Sequence, residues 1–193
     1  ICGDSTKAET FDLLLAGVKA NLVITDPPYN VNYEGSAGKI KNDNMEDGEF
    51  RKFLTSAFMN AAEVMKPGAP FYIWHAETEG GAFRRSCTAA LGKVRQMLIW
   101  NKNSFTMGHQ DYQWKHEACI YGWTEGAAHY FVDDRTQATV IEDKRIDINK
   151  LKKDEMRQLL RDIFSEKIST TVLNEDKPAK NDDHPTMKPL KLL

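Results

Sequence analysis

Short apolar stretches alternate with longer amphipathic ones along this chain, and the alternation leaves few folds open to it. Between Glu49 and Lys66, apolar residues recur at helical spacing until Pro67-Gly68 ends the pattern. The run Phe71–Trp74 that follows is short, apolar and aromatic, as in a buried strand. Strands that alternate with helices predict an α/β fold with a mostly parallel sheet covered by helices on both faces.

The same patterns predict the remaining elements. Further helices are expected at Ala8–Ala16, Thr78–Leu91 and, in a charge-dense stretch, Asp143–Lys167. Further strands are expected at Asn21–Thr25, Val94–Trp100, Glu117–Trp123, Tyr130–Val132 and Thr170–Leu173. With 193 residues the chain can bury a core, so residues 1–193 are interpreted as a single domain in which 143–167 is a helical insertion.

Composition and charge narrow the classes of function. The chain has 28 acidic and 26 basic residues, which argues against a uniformly basic coat protein but allows a local basic cluster. Its three cysteines have no metal-ligand spacing and suit a reducing cytoplasm, and the five histidines have no such spacing either. No apolar run approaches the roughly 20 residues that span a membrane. Neither a Gly-x-Ser-x-Gly nor a phosphate-binding Gly-Lys motif occurs.

The tetrapeptide Asp26-Pro27-Pro28-Tyr29 carries the strongest chemical signal, because it directly follows the predicted strand Asn21–Thr25. This position puts a carboxylate at the carboxyl edge of the sheet, where open α/β folds bind ligands. The two prolines supply no N–H groups and present carbonyl acceptors, and an aromatic ring can stack on a flat base. The motif predicts a site for an amino-bearing aromatic base, and a plain turn after a strand is the alternative.

On this motif the chain resembles the S-adenosylmethionine-dependent DNA N6-adenine and N4-cytosine methyltransferases. More narrowly, it resembles the permuted class, in which the catalytic motif precedes the cofactor glycine motif. The resemblance covers nearly the whole chain and rests on several segments: Gly3-Asp4, Leu22–Asn30, Met65–Gly68, Phe71–Trp74, Ile99–Lys102, His116–Gly122 and His184–Pro189. It implies a Rossmann-like methyltransferase sheet, S-adenosylmethionine as cofactor and double-stranded DNA as substrate, in a bacterial or phage-encoded modification enzyme.

The resemblance also implies a mechanism. Asp26 and the Pro27 carbonyl would accept the two amino hydrogens of the base, so that the nitrogen lone pair attacks the methyl group. Pro28 would keep the loop rigid, and Tyr29, with Asn30 beside it, would hold the flipped base. An Asp at the first position of the motif favours N6-adenine, and N4-cytosine is the alternative. A protein glutamine methyltransferase fits less well, since that group normally has Asn in place of Asp26.

For the cofactor, the resemblance implies contacts from Asp4, Asp26, Thr186 and Lys188. Asp4 would accept hydrogens at the adenine end of the cofactor, and Thr186 and Lys188 would meet its carboxylate. The alternatives are an ordinary turn at Asp4 and, at His184–Pro189, a helix start marked by two prolines.

The predicted DNA contacts come from two regions. The first is the polar stretch Asn30–Gly48, with Asn30, Lys39 and Lys41. The second is the basic side of 143–167, with Lys152, Lys153 and Arg157, which would be a target-recognition element. A surface loop and a solvated helix face are the alternatives. His75 and His116 are interpreted as ordinary polar residues at strand ends.

The sequence departs from the resembling family in one respect, because it contains no glycine-rich cofactor motif after His184–Pro189. The chain begins at Ile1 rather than Met, and we expect it to be C-terminally incomplete and to lack the strand that carries those glycines. We therefore expect weak binding of S-adenosylmethionine by this chain alone. A homodimer or the remainder of the same polypeptide would complete the site. A catalytically inactive DNA-binding fragment is the alternative function.

Overall fold

The computed structural model describes residues 1–35, 38–39, 41–142 and 152–164. Its helices are α1 (Ala8–Leu15), α2 (Asp47–Val64), α3 (Gly80–Ala90) and α4 (Lys153–Phe164), and a 3₁₀ turn (Glu77–Glu79) precedes α3. Its strands are β1 (Val23–Thr25), β2 (Glu34–Gly35), β3 (Gly38–Lys39), β4 (Pro70–His75), β5 (Val94–Thr106), β6 (Trp114–Trp123) and β7 (Val140–Glu142). Among the helices of these residues, none has the length and apolar character needed to cross a bilayer.

Five strands form the main sheet in the order β1-β4-β6-β5-β7. The pairs β1–β4 and β5–β7 are parallel, whereas β6 is antiparallel to both β4 and β5. The α/β organisation is confirmed, but the described sheet is mixed rather than mostly parallel. The reason is the connection between β5 and β6: residues 107–113 contain no helix, and a short connection can only return the chain antiparallel.

The parallel pairing of β1 with β4 creates the edge at which the Asp-Pro-Pro-Tyr motif lies. Val23 is opposite Phe71 and Thr25 is opposite Ile73, so both strands end at the same edge of the sheet. A parallel pair needs a crossover connection, and α2 lies in the segment that joins β1 to β4. The residues that follow β1 and those that end β4 therefore come together.

The core lies on both faces of β4, because successive side chains of a strand point to opposite faces. On one face, Phe71 and Ile73 pack with residues of α2 and α3. On the other face, Trp74 packs with Trp100 and Cys119. The described helices that pack on the sheet, α2 and α3, thus cover one face, and helices on the second face stay a prediction.

Gly122 permits close approach within the sheet. It pairs with Phe71 across β6 and β4. A Cβ at this position would collide with the Phe71 ring and would lie 2.8 Å from the Lys93 carbonyl oxygen. A glycine in the interior of a strand commonly marks such a contact.

One predicted strand is absent from the described structure, and one predicted helix is described only in part. The predicted strand Tyr130–Val132 is wrong: the segment has no regular structure, and Tyr130 is 77% exposed. The apolar pattern there reflects exposed aromatic side chains, and β7 pairs with β5 instead. The predicted helix Asp143–Lys167 is confirmed over α4, while 143–151, 165–167 and Thr170–Leu173 lie outside the described residues.

Candidate active site

The Asp-Pro-Pro-Tyr motif begins immediately after β1, and its last side chain contacts its first. Asp26, Pro27, Pro28 and Tyr29 are all half-buried. The Tyr29 hydroxyl donates a hydrogen bond of 2.6 Å to Asp26 Oδ1. Short hydrogen bonds to an ionised acceptor are among the stronger ones in proteins. The motif therefore presents a carboxylate at the sheet edge with one of its oxygens oriented by the tyrosine.

Tyr29 is held as a protonated donor by its surroundings. Its ring meets Phe83 edge-on, with 6.3 Å between the ring centroids. Burial raises the pKa of Tyr29 well above its usual value, and the negative charges of Asp26 and Glu117 raise it further. Glu117 Oε2 lies 3.5 Å from the same hydroxyl oxygen, so the shorter bond to Asp26 takes the hydrogen.

A cavity of about 450 Å³ opens beside Tyr29. Lys102 and Glu117 line this cavity and form an ion pair, with 2.7 Å between Lys102 Nζ and Glu117 Oε1. Both side chains are largely shielded from solvent, since 14% of Lys102 and 20% of Glu117 is exposed. A volume of this size is within the range of small-ligand sites, which is roughly 300–1,000 Å³. Other lining residues are His75, Gln110, Trp114 and His116.

Lys102 and Glu117 were not singled out from the sequence, and His75 was interpreted as an ordinary polar residue. Glu117 is 88 positions from Tyr29, and the pairing of β1 with β4 and of β4 with β6 brings the two together. His75 is fully buried, and neither ring nitrogen makes a hydrogen bond of normal geometry within the part of the chain described. Burial lowers its pKa, which the nearby carbonyls of Ile73 and Ala118 offset only in part.

Asn30 lies beside this site, at the start of the loop that follows the motif. Its Nδ2 donates to the Met45 carbonyl at 3.0 Å, and its Oδ1 accepts from the Met45 amide at 2.6 Å. The side chain therefore joins two segments of the protein, and its contact with DNA stays a prediction.

Asp4 lies in an exposed turn in which its Oδ1 accepts hydrogen bonds from the Thr6 amide and hydroxyl, at 2.9 and 2.7 Å. These bonds lower the pKa of Asp4, and the charges of Lys7 and Lys41 lower it slightly further. The turn considered as an alternative from the sequence is therefore present, and the carboxylate remains exposed. Its contact with the cofactor stays a prediction, and Thr186 and Lys188 lie outside the described residues.

The cationic residues predicted to contact DNA are at the surface where their side chains are described. Lys41, Lys152 and Lys153 are exposed. Arg157 Nη1 lies 3.5 Å from Asp154 Oδ1 in the same helix, which reduces its net positive field. For Lys39, the structure places the backbone in β3.

Comparison with known proteins identifies the family. The family described as DNA methylase, which comprises N6 and N4 methyltransferases, matches residues 20–193. The chain belongs to this family. The match includes the Asp-Pro-Pro-Tyr motif and every strand of the main sheet, so family membership agrees with the geometry at the carboxyl edge of β1.

A solved structure also resembles this chain in fold. The structure of M1.HpyAVI matches with a TM-score of 0.51 and 13% identity, over 72% of this chain and 64% of that one. Its complex with SAM matches with a TM-score of 0.48 and 14% identity, over 70% of this chain and 59% of that one. The chain thus spans less than two thirds of either structure. The match with a TM-score of 0.51 supports the Rossmann-like methyltransferase fold alone. No curated protein sequence matches this chain.

Proposed function

We propose that this chain forms the catalytic part of a DNA methyltransferase that transfers a methyl group from S-adenosylmethionine to the N6 amine of adenine. The observation that carries the proposal is the Asp26 carboxylate at the carboxyl edge of β1, held by the Tyr29 hydroxyl beside a cavity of about 450 Å³. Membership of the DNA methylase family supports both the reaction and the double-stranded DNA substrate.

The residues of the motif act on the amino group of the base. Its nitrogen is a weak nucleophile, because the lone pair is delocalised into the ring. Asp26 and the Pro27 carbonyl accept its two hydrogens, which localises the lone pair on nitrogen. The cofactor would supply the methyl group and its sulfur would keep the electron pair of the broken carbon–sulfur bond. Asp26 would accept the proton that the amino nitrogen loses as it gains the methyl group. Tyr29 keeps the carboxylate oriented throughout.

The described residues fit a cofactor of this type. When bound, S-adenosylmethionine supplies an electrophilic methyl group on a positively charged sulfur. The exposed Asp4 carboxylate, whose pKa is lowered by Thr6, is ionised at neutral pH and suited to accept hydrogens from an adenosine group. Asp26 adds negative charge near a cationic sulfonium. Thr186 and Lys188 complete the proposed set, and they lie outside the described residues.

The choice of adenine rests on the identity of the first residue of the motif. An Asp at this position, here Asp26, favours adenine by resemblance, and the same geometry serves the N4 amine of cytosine. We propose phosphate contacts by Lys39, Lys41, Lys152, Lys153 and Arg157, which position the duplex without reading its sequence.

Nucleoside analysis tests the proposal. The chain is expressed in a host that lacks DNA methylation, and its DNA is digested and analysed by mass spectrometry. We expect N6-methyladenine with the wild type, because the modified base accumulates during growth even where the cofactor binds weakly, and none with Asp26→Ala. The control is Asp134→Ala, which removes an exposed carboxylate that likewise accepts a side-chain hydroxyl, that of Thr136, and should leave methylation unchanged. Thermal unfolding of both variants verifies that they fold.

Each other outcome has a definite meaning. N4-methylcytosine in place of N6-methyladenine would retain the mechanism and overturn the choice of base. Methylation that persists in Asp26→Ala would contradict the role of the carboxylate. Wild-type DNA without a modified base would contradict the proposed activity of this chain and favour an inactive DNA-binding fragment.

A further inference from the structure

The loop after the Asp-Pro-Pro-Tyr motif is closed by a second carboxylate, that of Asp43. Asp43 is 14 positions beyond Tyr29 and is only 2% exposed. A buried carboxylate is unfavourable unless hydrogen bonds compensate it. Burial of this carboxylate therefore requires hydrogen-bond donors, and backbone amides of the loop provide them.

Three backbone amides of the loop donate to Asp43. The Tyr29 and Val31 amides donate to Oδ1 at 3.0 and 3.3 Å, and the Tyr33 amide donates to Oδ2 at 2.7 Å. These are alternate residues, and the residues between them have positive φ angles: 60° at Asn30 and 51° at Asn32.

The backbone conformation explains how one carboxylate can bind all three amides. A left-handed residue beside residues of other backbone conformation can turn nearby N–H groups to a common side, which forms an anion-binding concavity. Asparagine adopts the left-handed region more readily than most residues do, so Asn30 and Asn32 suit this geometry. The sequence of the loop thus builds a small anion site, and Asp43 fills it.

Further hydrogen bonds join residues 30–32, after the motif, to residues 43–45, before α2. The Asn32 amide donates to the Asp43 carbonyl at 2.7 Å. Asn30 exchanges two further bonds with the Met45 backbone. These bonds close the base of the β2–β3 hairpin and connect it to the start of α2.

We propose that Asp43 is a positioning residue, which fixes the loop backbone so that the Tyr29 hydroxyl meets Asp26. The path is short: Asp43 Oδ1 binds the Tyr29 amide, and the hydroxyl of the same tyrosine binds Asp26 Oδ1. The consequence for catalysis rests on the proposed function, whereas the effect on the loop does not.

Two substitutions separate the contributions of the oxygens. Asp43→Asn keeps one carbonyl oxygen, which can occupy the Oδ1 position and accept from Tyr29 and Val31, but its NH₂ group then faces the Tyr33 amide. Asp43→Ala removes both oxygens and with them all three hydrogen bonds. The matched control is Asp134→Asn, because Asp134 also accepts a backbone amide, that of Thr136, in an exposed turn.

Amide hydrogen exchange of the 193-residue chain, followed by NMR, tests the proposal. Asp43→Ala should speed exchange at Tyr29, Val31 and Tyr33 at least tenfold, and Asp43→Asn should do so mainly at Tyr33. The β4 amides, such as those of Phe71 and Ile73, should keep their rates in Asp43→Asn, and all rates in Asp134→Asn should stay unchanged. Loop amides that exchange at wild-type rates in Asp43→Ala would overturn the proposal. So would an equal increase throughout β4 in both Asp43 variants, since that would mark a general role in stability.

Kinetics test the catalytic consequence. In Asp43→Ala, kcat for methyl transfer should fall at least tenfold while KM for S-adenosylmethionine and for DNA stays within twofold. Asp43→Asn, which keeps an acceptor for the Tyr29 amide, should lose less. A purely structural role would instead lower the active fraction, which active-site titration detects. Unchanged kcat in both Asp43 variants would overturn the positioning role. If wild type methylates no base, the proposed function fails, and the exchange measurement still decides whether Asp43 holds the loop.

Discussion

The hydroxyl of Tyr29 is bound within the motif, and stacking of its ring on a base stays a prediction. The 2.6 Å bond to Asp26 predicts a measurable role for this oxygen. Tyr29→Phe should keep the ring against Phe83 and lose the bond. This should reduce kcat for methyl transfer about 10- to 150-fold, because hydrogen bonds to charged groups contribute roughly 1.5–3 kcal/mol. Steady-state kinetics on a DNA duplex measures the change.

Tyr33→Phe provides the matched control for that experiment. Tyr33 lines the same cavity and is 41% exposed, so removing its hydroxyl tests whether any tyrosine oxygen near the cavity matters. We expect kcat to change less than twofold. Equal losses in the two variants would contradict a specific role for the bond between Tyr29 and Asp26.

At the level of single residues, the sequence predicted what is local. Asp26 could be placed because a strand and its following residue are adjacent in the chain. The ion pair of Lys102 and Glu117 could not, since it depends on the pairing of β5 with β6. Asp43 was missed for another reason: an Asp in a polar loop is typical of a turn, and only the backbone conformation of Asn30 and Asn32 shows what it binds.

At the scale of elements, the contact between β4 and α3 predicts a pH dependence of stability. His75 ends β4 and lies fully buried against Phe83 of α3, with 5.3 Å between the ring centroids. Its pKa is lowered from the ordinary value of 6.5, mainly by burial, so the unfolded chain binds a proton more readily than the folded one. The contribution of His75 is therefore complete above pH 6.5 and is lost as the pH falls towards the lowered pKa.

Substitution of His75 isolates this contribution. His75→Phe should reduce the difference in unfolding free energy between pH 7 and pH 5.5, because phenylalanine cannot bind the proton that the histidine of the unfolded chain takes up. Urea unfolding at both pH values measures it. The control, His109→Gln, changes an exposed histidine and should keep the wild-type difference. A wild-type pH dependence in His75→Phe would show that other groups cause the acid sensitivity.

Helices and strands were predicted correctly where the apolar pattern is clear: helical spacing over many residues, or a short continuous apolar run. The helix expected at Glu49–Lys66 is α2, and the strand expected at Phe71–Trp74 is β4. The direction of the strands was harder to predict, because the antiparallel hairpin of β5 and β6 follows from a connection whose length the pattern did not fix. Tyr130–Val132 failed because exposed aromatic residues resemble a strand in composition.

At the scale of the whole molecule, the core and the candidate site share the ring of Phe83. This residue of α3 is fully buried and packs against Phe50 and Phe58 of α2, with 5.7 and 6.5 Å between the ring centroids. The same ring contacts Tyr29 and His75 at the site. The position of the motif therefore depends on how α2 and α3 pack on the sheet.

Truncation of this ring should consequently affect the entire fold. We expect Phe83→Ala to lower the free energy of unfolding by about 3–5 kcal/mol, a typical cost for a cavity left by a buried phenylalanine. That is a large share of the roughly 5–15 kcal/mol that stabilises a domain. Phe105→Ala makes the same chemical change at a 53% exposed position and should cost under about 0.5 kcal/mol. Urea unfolding of both variants measures the difference. Equal costs at the two positions would mean that the helices and the sheet edge do not depend on one common core, and that Tyr29 owes its position to the loop alone.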